Sequence, residues 1–448
     1  MRAVELFCGA GGMSRGLLDA GFNIAMAFDA WPVAVEAYRR NVGSHVEEAN
    51  LGDLLTVIPK ITRLAPDMIC GGPPCQDYSL AGRRIEGENA SMTLAFAMVV
   101  VTVRPEWFLM ENVTQAASSS AWAEAKAMLK RAGYGLSESK INCALYGVPQ
   151  KRRRLFVVGR LGEKDGFLQS SIAAAASARE RTVRDSLLPN YFKMMPDDDD
   201  CFRISDLKVV AGGHLYSRPL QKGRAVRTVD EAFATITRTS GEAPTPRYRD
   251  HFHLADSASI AKAATLDLRQ ISRIQGFPPA WNWTPASKRN TMQMIANAVP
   301  PPVARAIGRV ILERHRGRSF PQVPGGFLTW LIRHGGKSRP AAYNYKSYLR
   351  RVRRILRGRT YADLALELAA LEASPEFVAL PKQQKSDLRQ AVRLFAQYGE
   401  RPRQPVAEPG DQARVDTAAL MARWATLRAH DRHDAFYEDD GGTMETVT

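Results

Sequence analysis

Cysteine is scarce in this 448-residue sequence, and the few present do not pair. Cys8, Cys70, Cys75, Cys143 and Cys201 are odd in number, scattered, and form no C-x-x-C, which argues against both a disulfide framework and a zinc site. A reducing compartment, the cytoplasm, is the simplest expectation. Long apolar runs are lacking too. None approaches the ~20 residues that cross a bilayer, so no membrane partner is expected. The opening MRAVELFCGAGG has one Arg and no hydrophobic signal core, so a secretory leader is not expected either. Acid is in deficit: 46 Asp and Glu face 62 Lys and Arg, for a net charge of +16. Residues 1–160 carry 18 basic and 15 acidic side chains, residues 161–316 carry 23 and 16, and residues 317–448 carry 21 and 15. The excess sits mostly beyond the first third. It suits a polyanionic partner, although a merely soluble basic surface would have the same balance.

What is present is an alternation of strand and helix patterns. RAVELF (2–7) reads as a short apolar strand, followed by a glycine turn and a helix ending at Gly21. NIAMAFD (23–29) reads as a second strand, and PVAVEAYRRN as a helix with Pro32 near its start. DMICGG (67–72), WFLMENV (107–113) and RLFVVGR (154–160) supply further strands, with helical LAFAMVVVTV and WAEAKAMLKRAG between them. This alternation predicts an α/β fold with a doubly wound sheet, whose ligands bind beyond the carboxyl ends of the strands.

Three features fall at such ends. The first is Phe7, Cys8, Gly9, Ala10, Gly11 and Gly12. Glycines there permit close backbone approach to a ligand at a helix N-terminus, or simply a tight packing turn. The second is a pair of acids: Asp29 could accept from ribose hydroxyls and Asp53 from an adenine amino group, unless each caps a helix. Turn and acids together favour an adenosyl ligand. The third is GGPPCQDYS (71–79). Gly71 and Gly72 allow another molecule to come close, while Pro73 and Pro74 fix φ and stiffen the loop. A sulfur held so rigidly suits a nucleophile better than a buried structural cysteine. A Cys-His hydrolase is the rival, but none of the eight histidines sits in a recognisable local motif.

FCGAGG, GGPPCQDYSLAGRR, ENV (111–113), YGVPQKRRRLFVVG (146–159), RQISRIQGFP (269–278) and ANAVPPPV (296–303) occur in that order. In this set the chain resembles the DNA cytosine-5 methyltransferases over roughly residues 2–312. The resemblance implies a Rossmann-like methyltransferase sheet and S-adenosylmethionine as cofactor. Its site would comprise residues 7–12 with Asp29, Ala30, Asp53, Leu54, Pro73, Asn297 and Ala298. It implies Cys75 as the nucleophile on cytosine C6, Glu111 as the group at N3, and Asn112 as the holder of the cysteine loop. Arg152 and Arg154 would lie near the base carbonyl and the phosphates. Double-stranded DNA is the implied partner, with Gln76, Ser79 and Gln150 in contact and the target base flipped out beneath a lid at residues 79–91. A methylase of a restriction-modification system is expected, with a cognate endonuclease as functional partner. A tRNA cytosine-5 methyltransferase and a silent DNA-binding homologue are the alternatives.

Some residues depart from the family pattern. Ala30 replaces a bulky apolar residue, with Trp31 next to it, Ala296 replaces a glycine, and the lid lacks an arginine often found there. The expected division is a catalytic domain at 1–160, a target-recognition region at 161–262, and a small-domain core with the returning helix at 263–317. A helical accessory domain would occupy 318–400 and a partly disordered tail, with one helix at 417–429, would occupy 401–448. In the recognition region Arg218, Lys222, Arg224 and Arg227 are candidate DNA contacts or plain solvated cations. DDDD (197–200) reads as a solvated loop, and His251 and His253 alternate as in a strand. The accessory domain loosely resembles the helical DNA-gripping domain of tyrosine recombinases. Its segment YNYKSYLRRVRRILRGR (343–359) segregates an apolar face from a basic one.

Overall fold

The computed structural model describes residues 1–74, 88–188, 204–219, 223–249, 253–318, 323, 325–356, 358, 361 and 364–400. Seven strands form the main sheet: β1 (Arg2–Leu6), β2 (Asn23–Asp29), β3 (Val46–Glu48), β4 (Met68–Gly71), β5 (Trp107–Val113), β6 (Tyr134–Asn142) and β7 (Arg153–Leu161). Their order is β3-β2-β1-β4-β5-β7-β6. The first five strands in this order are parallel, and β7 runs antiparallel between β5 and β6. The chain winds outward in both directions from β1 and β4, so the crevice for a ligand opens at the carboxyl ends of those two strands. Leu6 pairs with Gly71, and Gly71 with Met110, which brings the turns after β1 and β4 beside Glu111.

Helices α1 (Gly12–Ala20), α2 (Pro32–Asn41), α3 (Leu54–Leu64), α4 (Glu88–Val103) and α5 (Ser120–Arg131) link the strands. On one face Val4, Leu6, Ile69, Phe96, Phe108 and Trp122 make a core with α3, α4 and α5. On the other, Leu17, Met68, Trp107, Phe156 and Ile311 make a second. β5 is buried at every position, as a strand covered on both faces must be.

Past β7 comes α6 (Gln169–Ala174), and Phe167, Leu168 and Ile172 enter the catalytic core. The catalytic body thus extends beyond the expected edge at residue 160. A smaller body follows, with α7 (Val183–Leu187), α8 (Ile204–Gly212), the antiparallel pair β8 (His214–Tyr216) and β9 (Val226–Thr228), α9 (Pro246–Arg249), α10 (Leu268–Gln275) and α11 (Lys288–Asn297). Val183, Leu187, Phe233, Ile236, Ile271 and Ile295 form its own core. Helix α12 (Pro301–His315) then returns to pack on α1. Glycine is required there, because a Cβ on Gly16 would lie 2.2 Å from the Pro301 carbonyl oxygen.

The last body is all helix: α13 (Gly325–Arg333), α14 (Arg339–Ile355), α15 (Leu364–Glu372), α16 (Pro375–Val378) and α17 (Lys382–Glu400). Leu349, Val352, Ile355, Leu371, Leu388 and Leu394 fill it. It meets the catalytic body beside Glu106, Arg160 and His315, which line a cavity of about 330 Å³ together with Ile355, Leu356, Tyr361, Ala370 and Ser374. Glu106 precedes β5 and Arg160 pairs with Trp107 at its start, so this seam lies at the amino ends of the parallel strands, opposite the ligand crevice. The expected helix at 417–429 and the DDDD run lie outside the described residues. No helix among the described residues is long and apolar enough to cross a membrane.

Candidate active site

The glycine turn after β1 adopts left-handed backbone at Phe7 (φ 56°), Gly9 (φ 51°) and Gly11 (φ 90°). A Cβ on Gly9 would meet no atom of the described residues within 4 Å. Gly11 begins α1 without a side-chain cap and the first turn has no acid, which leaves a positive helix end free for a carboxylate. A Cβ on Gly12 would come 2.4 Å from the Val299 carbonyl oxygen, so the 296–303 segment lies directly on the turn. Two motifs nearly 300 residues apart in the sequence thus share one wall. Cys8 and Ala10 are buried within it.

Asp29 ends β2, where Gly9 N–H donates to its Oδ2 at 2.7 Å and Trp31 N–H to its Oδ1 at 2.9 Å. Burial raises its pKa, and these amides oppose the rise. Ala30 is exposed. Trp31 packs in a cluster with Ala10, Met294 and Trp283. Asp53 caps α3, accepting from Thr56 N–H at 3.3 Å and from its hydroxyl at 2.7 Å. Leu54 beside it is half-buried. Asn297 is exposed and accepts from Gln293 Nε2 at 2.8 Å, and Ala298 follows it against Gly12. An adenosyl ligand with a terminal carboxylate fits this wall: room at Gly9 among the described residues, an uncapped helix end, and an acid held at the end of β2.

Glu111 lies on β5 with 7% of its surface exposed. Its Oε1 is 3.3 Å from Arg154 Nε, yet accepts no hydrogen bond from the described residues. Arg154 and Arg152 favour the charged carboxylate, but desolvation outweighs them and raises the pKa. Strand register explains the pairing: Arg154 sits opposite Val113, diagonal to Glu111 on the same face of the sheet. Gly72 adjoins the acid, since a Cβ there would lie 3.1 Å from Glu111 Oε2. Asn112 Nδ2 donates to the buried Pro73 carbonyl at 3.5 Å, tying β5 to the loop that leads into Cys75. Cys75, Gln76 and Ser79 lie outside the described residues, as does most of the expected lid. Residues 88–91 form the first turn of α4.

Gln150, expected at the DNA, is fully enclosed by protein. Its Nε2 donates to Gln275 Oε1 at 2.6 Å, and its Oε1 accepts Ile236 N–H at 2.9 Å. Gln275 in turn donates to the Ala298 carbonyl at 2.7 Å. One chain of amides therefore joins the arginine segment, the smaller body and the cofactor wall. The sequence reading missed Gln275, although RIQGFP was among its motifs. Two buried amides spaced 125 residues apart give no local signal.

The candidate DNA-contact arginines are engaged within the smaller body. Arg224 grips Glu231 with two hydrogen bonds of 2.8 and 2.7 Å. Arg218 pairs with Glu242 at 2.9 Å and lies over the Tyr248 ring, and Arg227 donates to Ser217 Oγ at 2.8 Å. His253 is in a turn rather than a strand, with its backbone N–H on Asp256 and its Nδ1 accepting from Ala255. Lys222 and His251 lie outside the described residues.

Comparison with known proteins agrees with this geometry. The C-5 cytosine-specific DNA methylase family matches residues 1–313. Type II methyltransferase M.HgiDI of Herpetosiphon aurantiacus is 35% identical over 301 residues, covering 67% of this chain and 90% of that protein. Type II methyltransferase M.HindV of Haemophilus influenzae is 32% identical over 319 residues, covering 70% and 97%. The solved structure of Entamoeba histolytica methyltransferase EhMeth shares the fold with a TM-score of 0.51 at 18% identity, covering 70% of this chain and 98% of that one. The chain belongs to the C-5 cytosine-specific DNA methylase family and is a DNA cytosine-5 methyltransferase.

Proposed function

We propose that the protein methylates C5 of cytosine in a specific double-stranded DNA sequence, through a covalent bond from Cys75 to C6 of a flipped-out base, as the methylase of a restriction-modification system. The observation that carries this reading is the buried Glu111 carboxyl beside the Gly72–Pro73 loop, with an oxygen that no group among the described residues satisfies. Cytosine C5 is too weak a nucleophile to react unaided. The Cys75 thiolate adds to C6, and Glu111 in its acid form passes a proton or a strong hydrogen bond to N3. C5 then has enamine character. S-adenosylmethionine, held by residues 7–12, Asp29, Asp53 and Asn297, supplies the methyl group as a sulfonium electrophile. After C5 gains the methyl, its proton leaves to a base in the cleft. The electron pair of that C–H bond expels the thiolate, N3 returns its proton to Glu111, and the aromatic ring is restored. Arg154, 3.3 Å from Glu111, and Arg152, whose field also reaches it, present positive charge toward the base carbonyl. A target atom inside a duplex requires the base to leave the stack.

The relatives' printed names, Type II methyltransferases, support the restriction-modification setting. Bisulfite sequencing of a plasmid from cells expressing the protein tests activity and site together, with methylcytosine expected at one recurring sequence. Wild type should form a denaturation-resistant adduct with 5-fluorocytosine DNA, because fluorine blocks the final elimination. Cys75→Ala should form none and transfer no methyl group while still binding DNA. Turnover by that variant would overturn the mechanism.

A further inference from the structure

Helix α14 carries six cations in seventeen residues, RPAAYNYKSYLRRVRRI, and no acid. They divide by environment. Arg353 is buried and pairs with Glu367 at 3.0 Å, and Arg351 donates to Gln384 at 3.0 Å. Elsewhere in the same body Arg389 pairs with Glu372 at 3.0 Å. The other four, Arg339, Lys346, Arg350 and Arg354, are exposed or half-exposed, and none has an ion-pair or hydrogen-bond partner among the described residues. At about 100° per residue these four fall within an arc of roughly 80°, with the half-exposed Tyr343 among them. The stripe extends over ~22 Å of helix axis, the rise of six to seven base pairs. Lys346, Arg350 and Arg354 stand at successive i,i+4 positions, where like charges destabilise an isolated helix. The fold thus keeps a repulsive row of cations that nothing within the described protein neutralises.

We propose that this stripe is a second DNA-binding surface, which grips the phosphate backbone of duplex DNA outside the recognised sequence. Charge complementarity selects the occupant: a continuous row of cations with no partner among the described residues matches a continuous row of phosphates. Its position fits a role apart from base recognition, since the helical body meets the catalytic body at the amino ends of the parallel strands, opposite the crevice. The inference rests on duplex DNA as the substrate.

The test is the full-length chain with Arg339, Lys346, Arg350 and Arg354 all changed to Gln, beside a control in which Arg351 and Arg389 are changed. Binding to a non-cognate duplex is measured by filter binding across a salt series, with circular dichroism melting to confirm that each variant is folded. Loss of four phosphate contacts should reduce the slope of log K against log salt by about 3 to 4, with the control close to wild type. The methylated sites read by bisulfite sequencing should stay the same. An unchanged slope overturns the proposal, and so does an equal reduction in the control, which would mean general charge rather than the stripe. Loss confined to structured RNA, tested with tRNA, also overturns it. Failure of the wild type to methylate DNA would sink the substrate reading instead, a result distinct from any change in slope.

Discussion

At the scale of single residues the site turns on which influence controls Glu111. Two guanidiniums pull its pKa down and burial pushes it up, with burial the larger. The acid form is therefore retained to higher pH than for an ordinary glutamate, and is lost as pH rises through the raised value. We expect Glu111→Gln to lower kcat by about 10²–10⁴, typical of a general acid, and to leave cofactor affinity unchanged in titration calorimetry. The fall of wild-type kcat/KM with rising pH should flatten in the variant. A loss of cofactor affinity alone would mean that Glu111 serves the cofactor wall instead. Glu111, Asn112 and the two arginines were legible because they sit in short contiguous motifs. Gln150 was legible as a position but not as a role: its neighbours on QKRRR suggested DNA, whereas its amide meets Ile236 and Gln275 from distant parts of the chain. The bland reading of Asp53 as a helix cap describes its observed hydrogen bonds, and a carboxylate with two such bonds keeps lone pairs for a ligand.

At the scale of elements, the strands with apolar runs were readable and two others were not. β3 is only Val46, Glu47 and Glu48, too short to show a period. β6, YGLSESKIN, is polar along half its length, because it is the outer strand of the sheet. What holds the site in shape is helix packing that depends on glycine. Gly16 on α1 would place a Cβ 2.2 Å from the Pro301 carbonyl oxygen and 2.6 Å from Ala304 Cβ. Alanine normally adds about 1 kcal/mol to a helix interior relative to glycine. Here the backbone of α12 stands in the way and cannot swing aside like a side chain. Gly16→Ala should therefore destabilise the fold by about 1–3 kcal/mol despite its better propensity, measured as a lower urea midpoint at unchanged m. Because α12 follows the Asn297 segment, cofactor affinity should weaken in the same variant. A gain in stability would show that α1 and α12 are less tightly docked than their backbones indicate.

At the scale of the molecule, three bodies with separate cores follow one another along the chain, and the last owes nothing to the first two for its interior. The helical pattern of residues 325–400 was legible from apolar spacing, but its docking was not, since the seam mixes Ile355, Leu356 and Tyr361 with charged side chains from distant parts of the chain. Arg160 pairs with Glu106 at 2.8 Å and with Glu163 at 3.1 Å, and Arg314 reaches Glu163 at 3.3 Å, all within the catalytic body. From the helical body the buried Arg353 adds its field to Glu163, while Glu367 balances Arg353. Arg160, Arg314, His315 and Arg353 thus have their ion-pair partners on their own side, whereas Glu367 acts across the seam to favour the charge of the half-buried Lys164 against its burial. A chain ending at Arg318 would keep α12, the Arg314–Glu163–Arg160 cluster and every described residue of the cofactor wall. Its losses would be the cover that Ile355, Leu356 and Tyr361 give the cavity, the field of Arg353 on Glu163 and the field of Glu367 on Lys164. We expect that chain to be folded, to melt within a few degrees of the catalytic transition of the full protein, and to methylate the same sites. Calorimetry and bisulfite sequencing check the two halves. Precipitation of the truncated chain, or a fall in melting temperature beyond ~10 °C, would mean that the helical body is part of the catalytic fold, since ~1 kcal/mol moves the midpoint by only ~2–4 °C in a domain of this size.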